Sequence, residues 1–600
     1  MDQPKRPKLR DRIKLPSLKA SRRHISKRAR RIERVSVRHV RKFILDRLEK
    51  AREVRRHIAI WVLLVAYVIV ATFLQGSWYQ EGYKTTAATG GGTYVEAVKG
   101  PLDSLNPLFA SSQAEQSASR LIFSSLMSYD TTGHLNYDLA SNLSVDSTQK
   151  VYTIKMRHDA KWQDGQPVTA NDVKFTIDLI DNPDVHSTLA GFTNIDVKVL
   201  DKYTIQFTLP TAYAPFAGYL TFAVLPEHIL KNISLSNLHE TSFSTAPIGS
   251  GPFSFRLIQD VDTAGTRRIL YLVRNSNYYG GVAKLSRFQL DVFPDNDSIL
   301  KAVSTAQVNA AVGLTKTESA RVNTTRYNVY SMPVDTGVYA LFNTNSEILS
   351  DANVRKALQI GTDMTAVRAV LGSGVIPLDI PFTTSQISGD IPVKPAYDKT
   401  AASTMLENDG WVLKNGVRKK GDQVLRLSFV VIKNADYQKV ADALVTQWKA
   451  LGVTVNLRVV DPSNPVDSVT QDVLQPRNYD VLMYSYSSAA DPDPYAYWHS
   501  SQTTTAGSNY ANYNNAIADE ALSTARGNAN ADLRNAKYLT FARQWLSDAP
   551  ALGLYQSTLQ YVVNKNNSSL TPSDKLVSSL DRYASVTDWT VDSRSVWTTP

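Results

Sequence analysis

The stretch IAIWVLLVAYVIVATFL, residues 58–74, contains no charged side chain, and the uncharged run continues through Gln80 past Trp78 and Tyr79. At about 1.5 Å rise per residue, a helix from His57 through Tyr79 reaches across a hydrocarbon core of about 30 Å, with aromatic rings suited to the interface at its far end. One transmembrane helix is therefore expected over 57–79, and it divides the chain into two parts that fold in different surroundings. Arg52, Arg55 and Arg56 abut its start, whereas Glu81 and Lys84 cancel at its end. By the positive-inside rule the amino terminus stays in the cytoplasm and everything after about residue 80 is exported. A cleaved signal peptide is the competing reading, with small residues at hand in TTAATGGG. The apolar core and the basic leader are both longer than a signal peptide's, which favours an uncleaved, single-pass anchor in the cell membrane.

Charge follows the same division. The chain's formal net charge is +11, yet residues 1–56 hold 22 Lys and Arg against 6 Asp and Glu. Taking these from the totals of 66 and 55 leaves 44 basic and 49 acidic residues, a net of −5, for the remainder. The leader has few helix breakers from about Ser26 to Arg56, and an Arg-rich helix there suits contact with anionic inner-leaflet lipids. Nucleic acid is the electrostatic rival, but Phe43 is the leader's single aromatic and no binding motif is present, so no nucleic acid is expected.

There is no cysteine, which excludes disulfides, thiolate metal sites and a cysteine nucleophile. The nine histidines never recur at metal-ligand spacing, and HExxH, GxSxG and phosphate-loop motifs are missing, so neither a metal nor a cofactor is expected. The stretch SYSSAADPDPYAYWHSSQ, 485–502, concentrates carboxylates, aromatics and hydroxyls. Asp491 and Asp493 each precede a proline, which favours an extended backbone and turns the two side chains apart, so they are not expected to act as a catalytic pair. His499 reads as a loop histidine without an acid at orienting spacing.

After a polar tether, EGYKTTAATGGG, the patterns alternate between two periods. VYTIKMRHDAKW alternates as a strand up to an Asp164–Gly165 turn, and TANDVKFTIDLI follows with Thr169 and Asp172 spaced as a capping box. Leu425, Leu427, Phe429 and Val431 share one strand face. Tyr437, Val440, Ala441, Leu444, Trp448 and Leu451 then recur at helical spacing, and VTVNLRVV resumes alternation after Gly452. This is a β-α-β unit, which joins parallel strands by a right-handed crossover. The exported body is an α/β module without internal repeats.

Nearly all of that body, from about residue 92 to 565, resembles the family 5 extracellular solute-binding proteins of ABC importers, which include oligopeptide-, dipeptide- and nickel-binding members. The resemblance rests on collinear blocks: LDSLNPLFASSQAEQSASRLIFSSLMSYDTTGHL, YTIKMRHDAKWQDGQPVTANDVKFTI, VLPEHIL, PIGSGPFSF, VRNSNYYGG, LFNTNSEILSDANVRKALQIGTDMTAV, YDKTAASTMLENDGW, YDVLMYSYSSAADPDPYAYW and NYANYNNAIADEALSTA. It implies a two-lobed periplasmic-binding-protein-like fold of the type II, three-subdomain variety, preceded by the anchor. The expected organisation is a leader (1–56), anchor (57–79), tether (80–92), one lobe with an extra subdomain (93–335 plus 560–600) and a second lobe (336–559). GSGPF at 249–253 is expected near a turn between lobes, and Asp351 at a helix start.

The resemblance further implies a monomeric receptor, not an enzyme, that captures an oligopeptide or similar extended solute between lobes and passes it to permease subunits with their ATPases. In peptide-binding members an acid before the Asp-Pro pairs with the ligand's ammonium. Here that position falls on Ser488 or Ala490, and Asp491 is the nearest carboxylate. The expected ligand contacts are Ser485, Tyr486, Ser487, Ser488, Asp491, Tyr495 and Trp498 on one wall, with Asn106 on the other. A nickel chelate or oligosaccharide as solute, a sensor whose output is the leader, and a hydrolase are the alternative readings.

Overall fold

The computed structural model describes residues 55–597 except 83, 190, 264, 385, 463, 465–467, 488 and 568–574. Most of the basic leader, and Ser488 of the expected site, lie outside the described residues.

The apolar run forms α1 (Arg55–Gly82), and its side chains, Trp61, Leu63 and Phe73 among them, are exposed. Among the described residues it is the one helix long and apolar enough to cross a membrane, over Arg55–Trp78. Those 24 residues rise about 36 Å. The segment expected as a flexible tether is largely regular: the helix persists to Gly82, and Lys84–Thr89 is extended. The helix runs on through Gly76 and ends at a second glycine, Gly82, and the Thr-rich KTTAAT favours the extended backbone.

Residues 88–594 form a second compact unit. Its central sheet contains β1 (Thr93–Lys99), β2 (Phe253–Asp260), β3 (Arg268–Arg274), β4 (Arg287–Phe293), β5 (Ala310–Leu314), β6 (Tyr327–Phe342), β7 (Arg426–Ile432), β8 (Thr454–Val460), β9 (Val481–Ser487) and β10 (Ala551–Asn564). The spatial order is β8-β7-β9-β6-β10-β5-β1-β4-β3-β2, and Ile376–Pro377 pairs with β10. As the alternation predicts, β7 and β8 are parallel, and the intervening helix Ala435–Ala450 buries Val440, Leu444 and Trp448.

Buried side chains separate into groups along this sheet. One pair of clusters draws on residues 94–334 and 559–589, the other on 338–555. The two long strands β6 and β10 pass through both, and their antiparallel ladder loses register between Pro333 and Gly337, where the groups meet. A four-stranded antiparallel sheet, in the order Ala140–Val145, Val151–Met156, Thr204–Thr208, Asp196–Asp201, shares the first group's core. The expected capping box appears beside it: Asp172 Oδ2 accepts from Thr169 N at 2.8 Å, and its Oδ1 from Glu227 N at 2.9 Å.

Asp351 caps the helix Ala352–Ile360, accepting from Asn353 N at 2.8 Å. GSGPF does not lie between the groups. It packs inside the first, against the end of α2 (Gln113–Ile122), where a Cβ on Gly249 would stand 2.0 Å from the Ile122 carbonyl oxygen. Glycine is required there for close approach.

Candidate functional site

A cavity of about 680 Å³ opens between the two groups of core residues. Tyr129, Tyr213, Tyr219 and Phe222 supply one wall, and Ser487, Ala490, Asp491, Asp493 and Tyr497 the other. Small residues, Gly218 and Ala489 among them, complete a lining that is apolar and aromatic with few polar groups, as solute pockets generally are.

The second wall grows out of β9. Alternation along this strand turns Leu482, Tyr484 and Tyr486 towards one core cluster and Val481 and Met483 towards another. Tyr486 is thereby sandwiched between Tyr339, 4.8 Å away with rings 6° apart, and Tyr497, 4.0 Å away at 19°. Trp498 Nε1 donates to its hydroxyl at 2.5 Å. After the strand the chain turns through residues 489–492 instead of running extended, Tyr538 Oη donates to the Pro492 carbonyl at 2.5 Å, and the short helix Tyr495–Trp498 begins after Pro494. Tyr497, the outer ring of the stack, thus stands in the cavity wall.

The two carboxylates diverge. Asp491 pairs with Arg534 at 3.0 Å, while Asp493 pairs with Arg526 at 3.0 Å and accepts from Tyr213 Oη at 2.9 Å. Burial pushes the Asp491 carboxyl up from its ordinary range, and Arg534 opposes the shift. Burial, then the charge of Asp493, raises the Tyr213 hydroxyl, so it donates throughout the physiological range. The guanidinium of Arg526 also lies over the Tyr495 ring at 4.3 Å and the Tyr213 ring at 4.9 Å. Tyr213 with Asp493, and Ala214 N donating to Arg526 O at 3.0 Å, are contacts between the two sides of the cavity.

His499 has an acid that spacing did not suggest: its Nδ1 lies 3.9 Å from Asp519, and its Nε2 lies 3.1 Å from Ser523 Oγ. The likeness to a catalytic triad fails on the tautomer. Nδ1 accepts from Ser501 N at 3.0 Å, so the neutral ring carries its proton on Nε2 and cannot take one from Ser523. The carboxylate Oδ2 is taken by Ser500 Oγ.

Residues 134–509 match the family model described as bacterial extracellular solute-binding proteins, family 5 middle region. The chain belongs to this family. Among curated relatives of this family 5 protein, the oligopeptide-binding protein AppA of Bacillus subtilis is 26% identical over 485 residues, 78% of this chain and 86% of that protein. The nickel-binding periplasmic protein of Escherichia coli is 27% identical, over 57% of this chain and 66% of its own length. Two solved structures share the fold. NikZ from Campylobacter jejuni in complex with Ni(L-His) aligns with a TM-score of 0.71 at 23% identity, covering 83% of this chain and 99% of that one. AppA of B. subtilis with a nonapeptide aligns at 0.69 and 23%, covering 84% and 100%. The fold is therefore that of a periplasmic binding protein, and the relatives are solute-binding proteins rather than enzymes.

In this family 5 protein the residues singled out from sequence separate by burial. Ser487 and Asp491 line the cavity. Tyr486 and Trp498 do not reach it, because stacking and the Trp498–Tyr486 bond hold them in the core. Ser485 turns to the face opposite Tyr486 and meets Tyr437. Tyr495 underlies Arg526. Asn106 is fully buried, its Oδ1 capping Leu108 N at 3.1 Å while Nδ2 finds no partner among the described residues. Sequence reasoning missed Tyr129, Tyr213, Tyr219, Arg526 and Arg534. Only the aromatic density of TAYAPFAGY hinted at any of them.

Proposed function

We propose that this chain is a membrane-anchored extracellular receptor of an ABC importer, which captures an oligopeptide or a similarly extended solute in the cleft and delivers it to permease subunits powered by their ATPases. The observation that carries the reading is the cleft itself: an aromatic, weakly polar cavity between two cores joined by continuous strands, with Tyr213 and Asp493 meeting across it. A solute that fills the cavity favours the closed arrangement, and the loss of register between Pro333 and Gly337 marks the hinge. Main-chain recognition between aromatic walls leaves the solute's side chains in wet pockets and keeps selectivity broad. Asp491 and Ser487 are proposed to face the solute directly, with Tyr486, Tyr495 and Trp498 setting the wall behind them. α1 serves as the single-pass anchor with its arginine-flanked end in the cytoplasm.

Full-length chain purified in mild detergent, examined by native mass spectrometry and then denatured, tests the reading. A ladder of short peptides is the expected result; a chain that arrives empty and ignores added peptides overturns it. Deleting residues 55–78 is expected to shift the chain from the membrane to the soluble fraction. A nickel chelate is the second reading, favoured by NikZ and the nickel-binding relative. Because no cluster of three or more candidate ligands exists among the described residues, the metal on that reading arrives already chelated.

A further inference from the structure

A second cavity, of about 550 Å³, shares Leu189, Thr221 and Phe222 with the cleft. Arg120, in the last turn of α2, lines it beside the hydroxyls of Ser111, Ser119 and Thr188. Its position is fixed from the sequence upward. Ser112 and Glu115 form the capping box that starts the helix, Ala114, Ala118, Leu121 and Ile122 bury the opposite face, and Gly249 and Gly251 let the chain close over Ile122.

Arg120 makes no hydrogen bond or ion pair among the described residues, and it is half-buried. Asp581 feels its charge from a distance but is otherwise engaged: its Oδ2 accepts from Ser578 N at 2.7 Å and Ser578 Oγ at 3.1 Å. The contrast with the cleft is direct. Both carboxylates there already hold an arginine, Asp491 with Arg534 and Asp493 with Arg526. A solute that reaches past Leu189, Thr221 and Phe222 from the cleft thus finds a guanidinium fork with unspent donors and, among the described residues, no cleft carboxylate without a cation. A planar fork of this kind is satisfied best by a carboxylate bound through two parallel bonds.

We propose that Arg120 receives a carboxylate of the bound solute, so that this receptor selects by an anionic group and places no demand on a free amino terminus. The proposal rests on the function given above. A peptide presents this group at its carboxyl end, and an amino-acid chelate of a metal presents the same chemistry.

The test uses full-length chain in detergent and a tryptic digest of casein in three forms: untreated, acetylated at its amines, and amidated at its carboxyls. Binding is read by native mass spectrometry. Untreated and acetylated digests are expected to be captured alike, and the amidated digest about 10- to 100-fold more weakly, the range for losing a charge-assisted hydrogen-bonded contact. Arg120→Gln is expected to collapse that preference, and Arg120→Lys to restore part of it. Equal capture of amidated and untreated digest, or loss of capture on acetylation, overturns the proposal. The comparison of digests on the natural chain decides the matter even if a variant misfolds. Nickel with L-histidine against nickel with histidinamide repeats the comparison for a chelate: a preference for histidine there, with no peptide captured, assigns the carboxylate to a chelate. Capture of none of these probes overturns both this proposal and the function it rests on, whereas equal capture of acid and amide forms overturns this one alone.

Discussion

Asp581 is buried, and burial pushes its carboxyl up to about 6 against the pull of two hydrogen bonds from Ser578 and the more distant charges of Arg120 and Arg582. The folded chain therefore keeps this proton between about pH 4 and pH 6, where the unfolded chain has released it. A group of this kind stabilises the fold below its unfolded value and loses that contribution as pH rises through its folded one. Moving from pH 7 to pH 5 should gain about 1 kcal/mol from Asp581. Urea unfolding at the two pH values is expected to show that gain in the natural chain and not in Asp581→Asn. A variant that retains the whole gain would transfer it to Asp172, Asp291, Asp335 or Asp491, whose carboxyls burial also raises.

Between elements, the first core is tied by one buried ion pair. Glu96 of β1 and Arg582 are both fully buried and lie 2.7 Å apart, with Tyr561 of β10 donating to Glu96 at 2.8 Å and Ser117 of α2 accepting from Arg582 at 2.8 Å. Four segments distant in sequence meet at one charge pair. Arg582→Met should cost about 3–5 kcal/mol, because a carboxylate is left uncompensated, while adding Glu96→Leu should recover most of that loss. Thermal unfolding of the single and double variants checks both expectations. Equal destabilisation by the two variants would show that packing, not charge, holds the junction.

Elements of this kind differ in how far sequence discloses them. The unit from Leu425 to Val460 was legible because its period changes from 2 to 3.6 and back, and Gly452 punctuates it. The capping pair Thr169 and Asp172 was legible for the same reason: every interaction that defines it is local. The cleft was legible only as a neighbourhood. Tyr213 and Asp493 are 280 positions apart, and Arg526 and Arg534 come from the two helices that follow the stretch they neutralise. Tyr486 and Trp498 looked like contacts because aromatic rings in a polar loop serve equally for ligands and for packing, and the deciding partners, Tyr339 and Tyr497, pack beside them only in the folded chain.

For the whole molecule, the proposed function makes β6 and β10 the axis about which the two cores close. Each runs through both cores, and beside the break in their ladder Asp335 is held by Lys575 at 3.0 Å and Thr383 at 2.7 Å. On that proposal the Tyr213 hydroxyl, which donates to Asp493 across the cleft at 2.9 Å, holds the closed form. Tyr213→Phe keeps the ring under Arg526 and removes that bond, at a cost of about 1.5–3 kcal/mol. Solute affinity should fall about 10-fold or more, with the radius of gyration at fixed solute concentration shifted towards that of the open form in small-angle scattering. Unchanged affinity would place the closing force in the aromatic walls alone.

The arginine–aspartate pairs of the cleft also bear on how fast a solute arrives. Paired charges project little field beyond a Debye length of about 8 Å, so these two pairs leave the steering of an anionic solute to Arg120, which holds no partner among the described residues. One half-buried charge exerts a shallow pull. The capture rate of an acidic solute should therefore fall only gently as the saltiness of the surroundings rises, which suits a protein facing a medium the cell does not control.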